Sequence, residues 1–419
     1  MTYAWRMVAL TFSTQFLSMG FTFYSFSAFV DPLVQEFDAS VTGVTMLPFA
    51  MSIAGAVFSP FLGFWIAKGS IRNIMSLGCI AMGVGFLLAA RATELWQLVI
   101  LFGSFITFGT GTMGGITTQA LIVNWFKEER AVPLGVSLMG ISASGMLMIH
   151  VSTSIVATSG WRVAFEYFGI AAFCALPLVF FAVVGRPEEH TQGDAQETDG
   201  EVTRAAAELP PSVSTRKALR QRNLWVIAAV SGLSFMGTSA VMIHAVKYGI
   251  EQGLAANQAA WIISSLAGGA MGGKLVFGWL ATKLGEQNAL FVALIIQGAG
   301  IASLATPIPF NLLVVVSIVL GLGLGGVMPL ASALMASAFG PAAFGPMMGL
   351  MTPMMIPFQS VGAPMTAAIY DSTGSYTYAW LTFVGVAFVA CAILSQLKID
   401  PDNLPDLSAE AMEEIEVAG

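Results

Sequence analysis

The stretch FLGFWIAKGS (61–70) returns in altered form as VFGWLATKLG (276–285), and this repeat decides the fold. In both copies a glycine near the end of an apolar run is followed by a short loop with basic residues. Three pairs of glycines are 214 or 215 positions apart: Gly63 with Gly278, Gly135 with Gly349, and Gly160 with Gly374. A near-constant offset indicates that the second part of the chain duplicates the first.

The composition is that of a polytopic membrane protein, because 56% of the 419 residues are hydrophobic and only 10% are charged. Apolar runs of about 20 residues are long enough to cross a bilayer as helices. Twelve such runs are predicted, near 7–30, 44–66, 73–90, 96–122, 131–157, 162–184, 223–247, 258–281, 287–306, 311–337, 344–368 and 375–397. The predicted fold class is all-α, with twelve transmembrane helices in two pseudo-symmetric six-helix halves.

One long polar stretch interrupts the predicted spans and divides the chain into domains. We predict an N-terminal six-helix half (1–184), a cytoplasmic linker (185–222), a C-terminal six-helix half (223–398) and an acidic cytoplasmic tail (399–419). The formal charge of -7 comes largely from the tail and from PEEHTQGDAQETDGE (187–201) in the linker. This charge therefore indicates neither an acidic partner nor nucleic acid.

The basic residues predict the orientation, because cytoplasmic loops of membrane proteins carry an excess of Lys and Arg. Of the 17 basic residues, three lie in one set of loops, namely Arg91, Arg162 and Lys247, and all the others except Lys274 lie in the opposite set. We expect the richer set, and with it both termini, to be cytoplasmic. The expected location is the cell membrane, in a bacterium the inner membrane, as a multi-pass protein.

The repeated loops resemble the loop signature of the major facilitator superfamily, although Lys68 and Thr282 stand where that family has Asp. The loop WFKEERAVPLGVSLMGISASG (125–145) is similar to that of the monocarboxylate porters and bacterial oxalate/formate antiporters, with five residues in register: Phe126, Arg130, Gly135, Gly140 and Gly145. The resemblance covers most of the chain. It implies alternating access, and we assign gating or structural roles to Arg130, Gly135, Gly140 and Gly278.

Lys274 stands four residues before Gly278, within AGGAMGGKLVFGWL (267–280), where the resembling family carries a substrate-binding arginine. A cation inside a membrane costs on the order of 3 kcal/mol unless it faces water, an anion or a carboxylate. Acidic residues are scarce within the spans, which favours an anionic substrate as the partner over a structural ion pair. Lysine acts as a point charge, whereas arginine is a planar fork. We therefore predict that Lys274 binds a single carboxylate, and we name it a proton-coupling candidate.

His244 near the outer end of span seven is the second candidate for substrate binding and proton coupling. The competing interpretation is an interfacial histidine that bonds to backbone or water. Large polar side chains on predicted cavity-lining spans complete the substrate-binding set: Gln15, Tyr24, Gln119 and Gln359. Smaller or shorter polar side chains on the same spans are Asn124, Ser142, Ser144, Ser234 and Ser265. Each of these side chains could instead make a helix–helix hydrogen bond.

Pro353 and Pro357 interrupt backbone hydrogen bonding in span eleven, so we assign them to gating. Two matches to G-x-G-x-x-G, at 109–114 and 321–326, follow no strand and indicate helix packing rather than nucleotide binding. No set of nucleophile, base and orienting group is evident, and the three cysteines lack the spacing of a metal site. We expect neither an enzyme nor a cofactor or metal.

The sequence favours a secondary active transporter of small organic anions of the monocarboxylate type, with alternating access and proton coupling. An anion exchanger of the oxalate/formate type and an exporter of hydrophobic or cationic drugs are the alternatives within transport. Outside transport, the alternative is a non-transporting sensor of the same fold. The expected partners are a small carboxylate, protons and the lipid bilayer, without nucleic acid, and the expected state is a monomer.

Overall fold

The computed structural model describes residues 2–39, 41–126, 130–185, 213–254, 256–399, 404–405 and 407. Most of the predicted acidic linker with His190, most of the acidic tail, and the side chains of Asp31 and Lys247 fall outside the described residues. The described end of the linker contains a short helix, Thr215–Leu219, which the sequence did not predict. Ser214 at the start of this helix donates its backbone N–H to the carbonyl of Leu407 in the tail (2.8 Å).

The described residues contain the twelve predicted spans, which confirms the fold class. Spans one to six are Thr2–Met19, Val41–Lys68, Ile71–Ala89, Leu95–Trp125, Ala131–Ser159 and Trp161–Ala182. Spans seven to nine are Arg222–Glu251, Ala256–Leu284 and Glu286–Ser303; spans ten and eleven share Phe310–Thr373, and span twelve is Tyr376–Leu394. Eight of these helices are long and apolar enough to cross a membrane.

Glycines with positive φ follow spans five and eleven, which the repeat predicts to be equivalent. Gly160 (φ 84°) follows span five and Gly374 (φ 69°) follows span eleven, and both stop a helix at the same place in each half. Gly340 (φ 74°) divides spans ten and eleven within Phe310–Thr373. Glycine adopts positive φ without a Cβ penalty, which explains why these positions carry it.

The described beginning of span one, the two described ends of the linker and the end of span twelve lie on one side of the helix bundle, here called the linker side. The Trp125 indole donates to the Val184 carbonyl (2.7 Å) at the start of the linker, and the Tyr3 ring lies 5.4 Å from the Trp125 ring. Asn223 donates to the Lys398 carbonyl (2.7 Å) after span twelve. Asn124, predicted to line the cavity, instead donates to the Gly185 carbonyl (3.3 Å).

The halves meet at two seams of direct backbone contact. In the two–eleven seam, a Cβ built on Gly63 would lie 3.1 Å from the Gly349 Cα, and one on Gly349 would lie 2.5 Å from the Ser59 carbonyl oxygen. In the five–eight seam, a Cβ on Gly278 would lie 3.1 Å from the Ala131 carbonyl oxygen. Small residues let helices approach closely in membranes.

The two seams are equivalent under the internal repeat. Gly135 packs against the backbone carbonyl of Lys274 in the five–eight seam, as Gly349 packs against the carbonyl of Ser59 in the two–eleven seam. Lys274 and Ser59 are 215 positions apart, the same offset as Gly278 and Gly63. The seams therefore share their geometry but differ in charge, because only the five–eight seam carries a lysine at this position.

Glycine also packs the helices within each half, as the sequence predicted for the two G-x-G-x-x-G matches. A Cβ on Gly109 would lie 2.7 Å from the Met82 side chain of span three. Gly321 and Gly325 of span ten face the carbonyl oxygens of Leu266 and Ala270 on span eight, with no room for a side chain. These contacts confirm the packing interpretation.

Candidate functional site

Lys274 lies at the five–eight seam, where its side chain crosses from one half to the other. Its Nζ donates to the Leu138 carbonyl oxygen (2.9 Å) and to the Ser142 hydroxyl (2.7 Å), both on span five. The lysine is only 9% exposed, and the serine is 7% exposed. An ammonium group carries three donors. Two of the three donors bond to uncharged acceptors. These contacts therefore do not neutralise the positive charge of Lys274.

No acidic side chain that the structure describes lies within 4.0 Å of Lys274 Nζ. The two ion pairs among these residues are Arg91 with Glu166 (3.1 Å) and Arg162 with Glu36 (2.7 Å), both within the N-terminal half. A buried cation is stable when an anion or several acceptors compensate its desolvation. The described residues around Lys274 thus supply neutral acceptors and no negative charge, and the binding of an anion there stays a prediction.

Two of the predicted glutamines, Gln119 and Gln15, join helices to one another. Gln119 of span four accepts a hydrogen bond from Ser332 of span ten, so it links the two halves. Gln15 of span one donates to Ser137 of span five (3.2 Å), within the N-terminal half. The Gln15 Oε1 atom is buried and has no hydrogen-bond partner among the described residues.

Three other predicted residues occupy different surroundings. Tyr24 closes a π-helical turn after span one, and its ring packs so tightly on Gly145 that a Cβ there would lie 2.7 Å from it. The Gln359 side chain is exposed, and its backbone carbonyl accepts from Ser239 (2.9 Å). Gly140 packs against the Phe12 carbonyl of span one and so supports the N-terminal half.

His244 is held by the C-terminal half alone. Its Nε2 lies 3.1 Å from the Ala363 carbonyl oxygen of span eleven, and its Nδ1 lies 3.2 Å from the Tyr376 hydroxyl of span twelve. A carbonyl only accepts, so Nε2 carries the proton and Nδ1 can accept from tyrosine. Both ring nitrogens therefore have a partner, and neither of these contacts involves Lys274.

Span eleven contains Pro353 and Pro357 without a break in its helical backbone. Within Phe310–Thr373, Gly340 is the residue with non-helical dihedral angles, and it lies between the two spans. Proline removes the hydrogen bond to the carbonyl four residues earlier. The gating role of these prolines therefore stays a prediction about motion.

Comparison with known proteins identifies the family. The profile of the Major Facilitator Superfamily matches residues 11–356 and 252–414. The chain belongs to the Major Facilitator Superfamily. The chain is 24% identical to human Monocarboxylate transporter 11 over 392 residues, which covers 90% of this chain and 79% of that protein. It is 25% identical to Monocarboxylate transporter 12 of Mus musculus over 340 residues, covering 76% and 69% of the two proteins.

A solved structure of a human transporter has the same fold. The crystal structure of the human organic anion transporter MFSD10 (TETRAN) matches with a TM-score of 0.71 and 12% sequence identity. The match covers 93% of this chain and 99% of the other. The predicted superfamily membership and the likeness to monocarboxylate porters are therefore confirmed.

The structure of this superfamily member adds one acidic residue that the sequence analysis missed. Glu286, at the first turn of span nine, accepts a hydrogen bond from Ser337 (2.8 Å). Its charge also acts on Arg130, which precedes span five in the other half: burial lowers the pKa of the guanidinium, and Glu286 opposes that shift. The position of Glu286 directly after the repeated loop 276–285 was a signal that could have found it.

Proposed function

We propose that the protein is a secondary active transporter of small organic anions of the monocarboxylate type. It would work by alternating access, with the substrate bound near Lys274 between the halves. The observation that carries this proposal is the buried Lys274 ammonium, which bonds only to a carbonyl and a hydroxyl among the described residues. A carboxylate is the natural complement of such a charge.

The charge at the five–eight seam provides a reason for substrate-dependent movement. Closing the halves around an unpaired ammonium is costly, because the ion loses water without gaining an opposite charge. A carboxylate on Lys274 neutralises the site and lowers that cost. The empty carrier would therefore reorient slowly and the loaded carrier quickly.

Relatives support the class of substrate, since two of them bear the name monocarboxylate transporter. For coupling we propose proton symport, with Lys274 and His244 as the candidate proton carriers. For orientation we propose that the linker side is cytoplasmic, as the excess of basic residues on that side predicts.

The first test is ligand-induced stabilisation of the purified protein by pyruvate, benzoate and oxalate, with the neutral amides pyruvamide and benzamide beside them. A ligand at 100 times its dissociation constant stabilises the folded state by about 2.7 kcal/mol. We expect a carboxylate to stabilise the protein and its amide not to. Lys274→Met, which keeps the chain length and removes the charge, should abolish the effect.

Lys283→Met is the matched control, because Lys283 is exposed in the last turn of the same helix. Stabilisation by cationic drugs instead, unchanged in Lys274→Met, would refute the proposal in favour of an exporter.

Uptake into proteoliposomes then separates the mechanisms. A pH gradient should drive uptake of the stabilising carboxylate; acceleration by internal carboxylate without a pH effect would indicate exchange. Binding without any flux would indicate a sensor.

A further inference from the structure

We infer that Ser142 is a second, specificity-determining residue of the anion site, where its hydroxyl donates to the same carboxylate that Lys274 binds. This inference rests on the proposed function. Ser142 lies on span five in the N-terminal half, whereas Lys274 lies on span eight in the C-terminal half. A single carboxylate held by both residues would therefore connect the two halves directly.

The hydrogen bonding of Ser142 differs from that of its neighbours on the same helix. A serine within a helix commonly donates to the carbonyl three or four residues earlier. Ser144 follows this pattern and donates to the Ile141 carbonyl (2.7 Å), and Ser152 donates to the Met148 carbonyl. At Ser142 the carbonyl four residues earlier, that of Leu138, accepts instead from Lys274.

The hydroxyl hydrogen of Ser142 is consequently unused among the residues that the structure describes, since Ser142 acts there only as an acceptor from Lys274. One of the three ammonium hydrogens of Lys274 is likewise unused within the described part of the chain. The donor atoms Nζ and Oγ are 2.7 Å apart. Two adjacent unused donors, one of them charged, form a site that fits the two oxygens of one carboxylate.

The second seam shows that packing alone does not require this polar pair. Under the repeat offsets of 215 and 214 positions, Lys274 corresponds to Ser59 and Ser142 corresponds to Ile356. The two–eleven seam has the same glycine contacts without a lysine and without a hydroxyl at the second position. The lysine and the serine are thus additions to one seam, which is expected of a binding site and not of a structural contact.

The test is isothermal titration of the purified protein with pyruvate, benzoate and oxalate. Ser142→Ala removes one oxygen and adds no volume. We expect it to weaken the carboxylates that bind to the wild type by about ten- to one-hundredfold, the usual effect of a hydrogen bond to a charged group. Ser142→Thr retains the hydroxyl and should restore most of the affinity.

Ser144→Ala is the matched control, because Ser144 is buried on the same span and its hydroxyl is satisfied by its own helix. Its dissociation constants should equal those of the wild type. If Ser142→Ala binds as tightly as the wild type, or more tightly, while Lys274→Met does not bind, the Ser142 hydroxyl takes no part in binding the anion. The inference then fails and the proposed function stands. If no carboxylate binds in a Lys274-dependent way, both fail.

Discussion

The proposed anion site depends on one buried ammonium group, that of Lys274. Lys274 donates two hydrogen bonds to neutral groups of span five, and no described acidic side chain neutralises its charge. The sequence predicted this residue and its burial, because an isolated cation in an apolar run stands out. It could not predict which atoms the ammonium contacts, because Leu138 and Ser142 lie more than 130 positions away and only the packing of two helices brings them near.

Replacement of Lys274 by arginine tests whether the point charge sets the choice of anion. A guanidinium binds carboxylates bidentately and cannot lose its proton, so Lys274→Arg should favour oxalate over pyruvate relative to the wild type. We expect the ratio of the two dissociation constants to shift by about tenfold or more, a difference of about 1.4 kcal/mol. Titration of both anions measures it, and an unchanged ratio in Lys274→Arg would contradict the point-charge argument.

The hydrogen bond between Tyr376 and His244 should contribute to the stability of the protein. Tyr376→Phe removes the hydroxyl beside Nδ1 and should lower the stability of the protein by about 1 kcal/mol, the usual net value of one hydrogen bond. Thermal unfolding in detergent measures the loss. Tyr378→Phe is the control, because Tyr378 is exposed on the same helix. Equal unfolding temperatures for the two variants would show that the bond to His244 contributes nothing.

Several helices of this protein contact one another's backbone at glycines. The sequence predicted the spans and the importance of Gly135 and Gly278, because periodic apolar runs and repeated glycines are local signals. It did not predict which helices these glycines contact, nor that Asn124 bonds to Gly185 at the start of the linker. Those contacts depend on the angles at which long helices cross, which a single sequence does not contain.

A methyl group at Gly135 should separate spans five and eight. Gly135→Ala places a Cβ against the Lys274 backbone carbonyl, which cannot move without its helix. We expect at least a tenfold loss of transport rate, measured as carboxylate uptake into proteoliposomes. In Gly272→Ala the new Cβ meets nothing within 4 Å, although the residue lies on span eight beside Lys274. That control should transport normally, and normal transport by Gly135→Ala would show that the seam tolerates separation.

Across the whole molecule, duplication explains most of what the sequence could predict. Twelve spans, two halves and the superfamily followed from composition, offset and loop signatures. The electrostatic influence of Glu286 on Arg130 did not follow, because the two residues come from different halves and neither has a matching charged residue in the repeat. Ser337 and Glu286 connect spans ten and nine on the linker side, where the charge of Glu286 reaches Arg130.

Removal of the Glu286 charge should loosen the linker side of the bundle. Spin labels at Lys68 and Lys283, exposed at the ends of spans two and eight, report the distance between the halves. We expect Glu286→Gln to increase the population of longer distances in pulsed electron resonance by a factor of about 3 to 10, since partly buried charge interactions contribute roughly 1 kcal/mol.

Glu36→Gln serves as the control for this measurement. Its ion pair with Arg162 (2.7 Å) joins two elements of the same half and should not affect the distance between halves. A distance distribution that is identical for wild type and Glu286→Gln would show that the Glu286 charge does not hold the halves together.

The glycine seams also determine how the movement responds to heat. Glycine has no side chain, so at Gly63, Gly135, Gly278 and Gly349 themselves parting the seams exposes peptide groups rather than apolar side chains. Apolar exposure is the main source of a positive heat-capacity change, and exposure of polar groups opposes it. The transition that we propose between the two carrier states should therefore have a heat-capacity change near zero, and its rate should follow an almost straight Arrhenius line.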